Sequence, residues 1–138
     1  MKKSRRNIFI IALLVSILAI AWYFTGSSMR ALKELKTSDI KEIFIAHPAG
    51  YYTITRQEDI QILLDTLKSI DNIRKVPEMK AGGMLINIIL KNGETMDISL
   101  RSGDIIIKGQ HYKATDDYYN NISEIFHHLS KEYDMKTN

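Results

Sequence analysis

Four histidines, sixteen acids and seven tyrosines are the side chains of this sequence that could do chemistry, and it contains no cysteine. Thiolate catalysis, thiolate metal sites and disulfides are thereby excluded. The histidines are His47, His111, His127 and His128. Glu124 and His128 stand one helical turn apart, so a helix would turn both toward one metal ion and leave His127 pointing elsewhere. The spacing lacks the second same-face histidine of the metalloprotease helix signatures. Solvated residues near a helix end are the simpler reading, and no metal or cofactor is expected. Asp116-Asp117, with Asp104 nearby in sequence, could act as paired acids in glycoside hydrolysis or cation binding. Each already suits a cap or a turn, so no catalytic residue is assigned. No Gly-x-Ser-x-Gly elbow, phosphate-binding loop or dinucleotide fingerprint is present, and Gly82-Gly83 lacks the lysine and spacing of a P-loop. Tyr51, Tyr52, Tyr112, Tyr118 and Tyr119 form an aromatic set of the kind that anchors interfaces, although in a small domain part of it completes the core.

The elements that would position these residues can be read from periodicity. Ile40 to Ala46, a His47-Pro48-Ala49-Gly50 turn cluster and Tyr51 to Thr55 read as a hairpin. Thr55-Arg56-Gln57-Glu58 has the form of a capping box. Ile60, Leu63, Leu64, Leu67 and Ile70 then recur at helical spacing, which predicts an amphipathic helix over Arg56 to Ile70. Residues 71–83 form a connection that holds Arg74, Lys75, Pro77, Lys80 and the glycine pair. Such a length inside a small domain is uncommon and points to function. Met84 to Lys113 alternates as a β-meander, with Asn92-Gly93 as a two-residue hairpin turn. Thr115-Asp116-Asp117 caps a final helix whose stripe is Ile122, Ile125, Phe126 and Leu129. The predicted fold is α+β: a small antiparallel sheet with two helices packed on one face. The candidate binding surface is Tyr51, Tyr52, Arg74, Lys75 and Tyr112.

The N-terminus sets the expected location. Ile8 to Phe24 carries no charge and only Ser16 as a clearly polar residue. As a helix it would span roughly 25 Å, which predicts a transmembrane signal anchor. Lys2, Lys3, Arg5 and Arg6 would keep residues 1–7 cytoplasmic, and Trp22 and Tyr23 would sit at the outer interface. Cleavage after Ala19-Ile20-Ala21 is the competing fate. In this reading residues 25–39 are a linker or stalk in which Met29, Leu32 and Leu35 recur on a short amphipathic stretch. Residues 40–133 are an extracytoplasmic domain and 134–138 a tail. Of 19 Lys and Arg against 16 Asp and Glu, four basic residues lie before the apolar run, so the remainder is nearly neutral. That leaves no nucleic-acid footprint, and the partners expected are a membrane and a protein or peptide.

Thr-Arg-Gln-Glu-Asp-Ile opening the helix, Lys-Asn-Gly-Glu in the meander and Lys-Gly-Gln-His-Tyr-Lys before the final helix resemble small exported domains of unknown function in Gram-positive bacteria. The resemblance implies no site residues, and this chain departs from the lipoproteins among such domains in lacking the cysteine. The expectation is a non-catalytic, membrane-anchored binding or accessory domain that meets a protein, peptide or envelope polymer. The alternatives are a small cell-envelope enzyme using Asp or His residues, and a membrane subunit or immunity-type protein.

Overall fold

A computed structural model describes residues 2–24, 27–70, 73–77, 82–114 and 118–137, with no side-chain description for residues 2–6, 21–24, 27 and 75. The elements are α1 (Lys2–Phe24), α2 (Ser27–Glu34), a 3₁₀ turn (Thr37–Asp39), β1 (Ile40–His47), β2 (Gly50–Ile54), α3 (Gln57–Lys68), β3 (Ile73–Lys75), β4 (Met84–Leu90), β5 (Thr95–Arg101), β6 (Asp104–Ile107), β7 (Gln110–Ala114) and α4 (Tyr118–Leu129). One seven-stranded antiparallel sheet runs in the order β2-β1-β4-β5-β6-β7-β3.

Alternation along each strand divides the sheet into two faces. Ile43, Ile45, Tyr52, Ile54, Ile86, Ile88, Ile98, Leu100, Ile105, Ile107 and Tyr112 are buried on one face. Onto it pack Leu63, Leu64 and Leu67 of α3, and Ile122, Phe126 and Leu129 of α4. The helix stripes read from the sequence are thus core stripes, with Ile125 only half buried. A third helix joins them. Met29, Leu32 and Leu35 are buried in the same cluster, Leu32 completely. The stretch expected as a stalk is therefore part of the core, because its three-residue apolar spacing finds a cover. Lys33 Nζ donates to the Lys68 carbonyl and Lys68 Nζ to the Leu35 carbonyl, which ties α2 to the end of α3.

The membrane-anchor expectation is corrected. Among the described residues, no helix is long and apolar enough to cross a membrane. The single-pass topology, the cytoplasmic N-terminus and the extracellular placement of the domain lose their support with it. What is seen is a helix whose apolar side chains, Ile8 to Ile20, stand exposed. The interface roles of Trp22 and Tyr23 fall on side chains outside the description.

Turn chemistry also departs from the expected pattern. The β4–β5 connection is a three-residue loop. Gly93 N–H bonds the Leu90 carbonyl at 3.0 Å, and Leu90 N–H bonds the Glu94 carbonyl at 2.9 Å. Only Gly93 there has positive φ, +90°, which is the bulged type I hairpin. The two-residue turn with both residues at positive φ lies instead at Lys108-Gly109. The Thr55 capping box is not formed. The N-cap is Arg56, with no side-chain cap bond. The long connection is interrupted by β3, which pairs with β7 and continues into a Val76 N–H bond to the His111 carbonyl. The cap proposed at Thr115-Asp116-Asp117 lies outside the described residues.

Candidate functional site

Three helices cover one face of the sheet; among the described residues, the other face carries no buried one. Strand register places Tyr51, Ala46, Leu85, Ser99, Ile106 and His111 in one row across six strands. Thr53, Phe44, Asn87 and Asp97 form the next row. Leu85 is 43% exposed, and Phe44 meets Tyr51 with ring centroids 5.9 Å apart. The described end of the long connection borders this face, where Ser99 Oγ donates to the Gly82 carbonyl at 3.3 Å. A shallow groove of about 410 Å³ opens along the β2 edge, lined by Phe44, Tyr51, Thr53, Tyr133 and Lys136. Charge is polarised across the face, with Glu42 and Asp97 toward one end and Arg101, Lys113 and Arg74 toward the other; Lys113 lies 4.0 Å from Asp104.

The expected binding set does not come together. Tyr51 lies on β2 at one edge of the sheet, whereas exposed Arg74 lies on β3 at the opposite edge. Lys75 is on β3 as well, and its side chain is outside the description. Tyr52 and Tyr112 point to the helix side and are 4% and 1% exposed. Both are core residues, since strand alternation sends Tyr51 and Tyr52 to opposite faces.

The hairpin edge is held by a column of rings that the sequence did not disclose. Tyr133 stacks on Tyr52 (centroids 5.5 Å, 9°), Tyr52 on Phe126 (4.8 Å, 24°) and Phe126 on His47 (4.7 Å, 20°). Tyr119 continues it beyond His47 at 6.1 Å. The Arg56 guanidinium sits 5.5 Å over Tyr133 at the other end. Tyr52 Oη donates to the Phe126 carbonyl at 2.6 Å. Burial, with Tyr133 and Asp59 nearby, pushes the Tyr52 hydroxyl well above its ordinary range.

Below the column lies the buried acid Asp59, 6% exposed. Its Oδ2 accepts Tyr133 Oη at 2.6 Å and Arg56 Nε at 2.7 Å, while Arg56 also pairs with Glu132. Desolvation pushes the Asp59 carboxyl up, but the Tyr133 and Arg56 bonds together outweigh it and hold the group below the usual carboxylate range. Asp59 sits three residues after the Arg56 cap, where the helix dipole also favours an anion.

His47 is the group closest to a catalytic arrangement. Its Nε2 lies 2.9 Å from Ser123 Oγ, and its Nδ1 accepts the Ala49 amide at 3.0 Å. Because Nδ1 is the acceptor, the neutral ring carries its proton on Nε2 and donates it to the serine. A serine nucleophile needs the reverse polarity. His127 meets His47 edge-on at 4.8 Å. Glu124 and His128 instead line a groove of about 520 Å³ between α3 and α4, together with Ile62 and Ile125. His111 is half buried on β7. A cleft of about 590 Å³ lies elsewhere, between α2 and the β4–β5 loop, and holds Glu34, Asp39, Glu94 and Lys108. Among the described residues, no group of three His, Asp or Glu is placed to hold a metal ion.

No protein-family model, curated protein or solved structure matches this chain.

Proposed function

We propose that the chain is a non-catalytic binding module whose open sheet face, centred on Leu85, Phe44 and Tyr51, docks a protein partner. The observation that carries this reading is the uncovered row Tyr51–Ala46–Leu85–Ser99–Ile106, an apolar and aromatic strip on a face without a helix layer. Aromatic residues are enriched at the buried centres of protein interfaces, and antiparallel sheets commonly leave one face to water or a partner. The polarised charge states the partner's chemistry: an apolar ridge flanked by basic residues opposite Glu42 and Asp97 and by acids opposite Arg101. A hydrolytic reading would use His47 and Ser123, and the tautomer held by Ala49 weighs against it.

The test is site-specific photo-crosslinking in the native cells. A photoreactive residue at Leu85 should give a discrete protein adduct that is lost when Phe44→Ser is added. The same probe at Ile62, which is 50% exposed on the helix side, should give none. Equal adducts from both positions would refute the assignment of the face.

A further inference from the structure

We propose that His47, packed edge-on against His127, forms a proton-operated latch, which holds α4 on the β1–β2 hairpin while the His47 ring is neutral and loosens it when that ring is charged. Its consequence for binding rests on the open-face reading above, because Phe44 lies on β1 and Tyr51 on β2. The latch itself stands on separate geometry.

His47 is the last residue of β1, so its side chain belongs to the hairpin, while the described residues it meets on the helix side belong to α4. Four α4 side chains surround it: Tyr119, Ser123, Phe126 and His127. Both ring nitrogens are committed in the neutral form, with Nδ1 accepting from Ala49 and Nε2 donating to Ser123. A second proton can go only on Nδ1. There it would face the Ala49 N–H across 3.0 Å, donor against donor, and the bond that shapes the turn would be lost. The charged ring would also stand edge-on to His127. Two imidazolium rings 4.8 Å apart repel.

The charged groups around the pair do not cancel this. Among the described residues, His47 takes part in no ion pair, and the charged neighbour that acts on it is His127. On α4, Glu124 lines the groove toward α3, and Lys131 lies beyond the end of the helix. From β2 the Tyr52 hydroxyl lies behind Phe126 and is held neutral by burial. Desolvation first, and His127 second, lower the affinity of His47 for a proton below its ordinary value. A depressed histidine leaves the folded state undisturbed above the unfolded value near 6.5. The latch therefore weakens as pH falls below about 6.5 and is fully open below the folded value.

The strain has a defined path. Phe126 is the shared neighbour, stacked between His47 and Tyr52 and accepting the Tyr52 hydroxyl on its carbonyl. If α4 shifts at Phe126, the base of β2 shifts with it, and the Tyr51–Phe44 pair on the opposite side of the same two strands is re-aimed.

The experiment is histidine and backbone NMR on the full chain from pH 7.5 to 5.0. His47 should show the Nε2-protonated tautomer, titrate below 6.5, and carry the amide shifts of Ser123, Phe126 and Tyr51 along the same curve. In His127→Gln, an exposed position, the His47 midpoint should rise toward 6.5. In His47→Phe, which keeps the stacked ring, the coupled shifts of α4 and the hairpin should vanish. A His47 midpoint at or above 6.5, or coupled shifts that persist in His47→Phe, overturns the latch. The Leu85 crosslink separates the two proposals. Absence of an adduct at pH 7.5 defeats the binding face and leaves the NMR result standing. An adduct of equal yield at pH 7.5 and 5.5 defeats the control of binding by the latch alone.

Discussion

Replacing Leu32 with alanine tests whether α2 belongs to the domain or merely leads up to it. Leu32 is fully buried and lies in one cluster with Met29, Leu35 and the α3 stripe. Truncating a fully buried leucine costs about 2–5 kcal/mol, the transfer of the lost carbons plus the cavity left behind. The upper half of that range is excluded only if α2 can settle into the gap, and the reciprocal lysine bonds to the ends of α2 and α3 oppose such settling. An unfolding entropy of about 2.1 cal/mol/K per residue over a domain of about 110 residues converts 1 kcal/mol into about 4 °C. The expected fall in Tm is therefore about 8–20 °C, read by far-UV circular dichroism on the full chain. Glu34→Ala, an exposed position on the same helix, is the control and should move Tm by no more than about 2 °C. If Leu32→Ala also stays within 2 °C, α2 is a solvated stalk and the three-helix layer is wrong.

The Asp59 cluster should make the domain acid-sensitive. Its depressed carboxyl contributes stability above the ordinary carboxylate range, and that contribution is lost as pH falls through the lower folded value. Urea titrations at pH 7 and pH 3 should show this loss in the wild type and a smaller loss in Asp59→Asn. Tyr133→Phe removes one donor from a buried carboxylate and should cost about 1.5–3 kcal/mol at pH 7. Gly83 has φ +85° and room for no Cβ, which would lie 2.3 Å from the Leu100 carbonyl. Gly83→Ala should therefore cost well over the 1–2 kcal/mol or so of left-handed backbone alone, whereas Gly109→Ala, at φ +76° with nothing within 4 Å, should cost about that amount. Leu85→Ser should leave Tm within about 2 °C because the side chain faces water, while Ile86→Ser, its fully buried neighbour, should cost several kcal/mol.

Much of the sheet was legible because alternation is local. Met84 to Lys113 reads as strands from spacing alone, and the α3 stripe from Ile60 to Leu67 reads as a helix for the same reason. Local readings failed where a residue's role is set by a distant partner. Asp59 looks like an ordinary first-turn acid, yet Tyr133, 74 positions later, makes it a buried anion. The ring column joins Tyr52 to Phe126 across the same separation. The cap moved from Thr55 to Arg56 because Arg56 is bonded at once to Asp59, Glu132 and the Tyr133 hydroxyl. The candidate surface drew Tyr51 and Tyr52 together because they adjoin in sequence, and the pleat separates them. Met29, Leu32 and Leu35 were readable as an amphipathic stripe, but nothing in their spacing says what covers it.

Exposed leucines are common on protein surfaces, so Leu85 alone would argue for nothing. The face argues through what surrounds it. Ala46 and Ser99, the cross-strand neighbours of Leu85, are small and leave it standing clear of the sheet. The larger groups lie one position away, at Phe44 and Tyr51, so the row forms a shallow step rather than a flat strip. On the other side of the same strands, the ring column and the Asp59 cluster concentrate long-range contacts on the β1–β2 hairpin, the part of the sheet that carries this step. A hairpin at a sheet edge needs such support only to hold its own position. Here the support includes a histidine that cannot accept a proton without losing its bond to Ala49, so under the proposed latch the rigidity of the hairpin depends on pH.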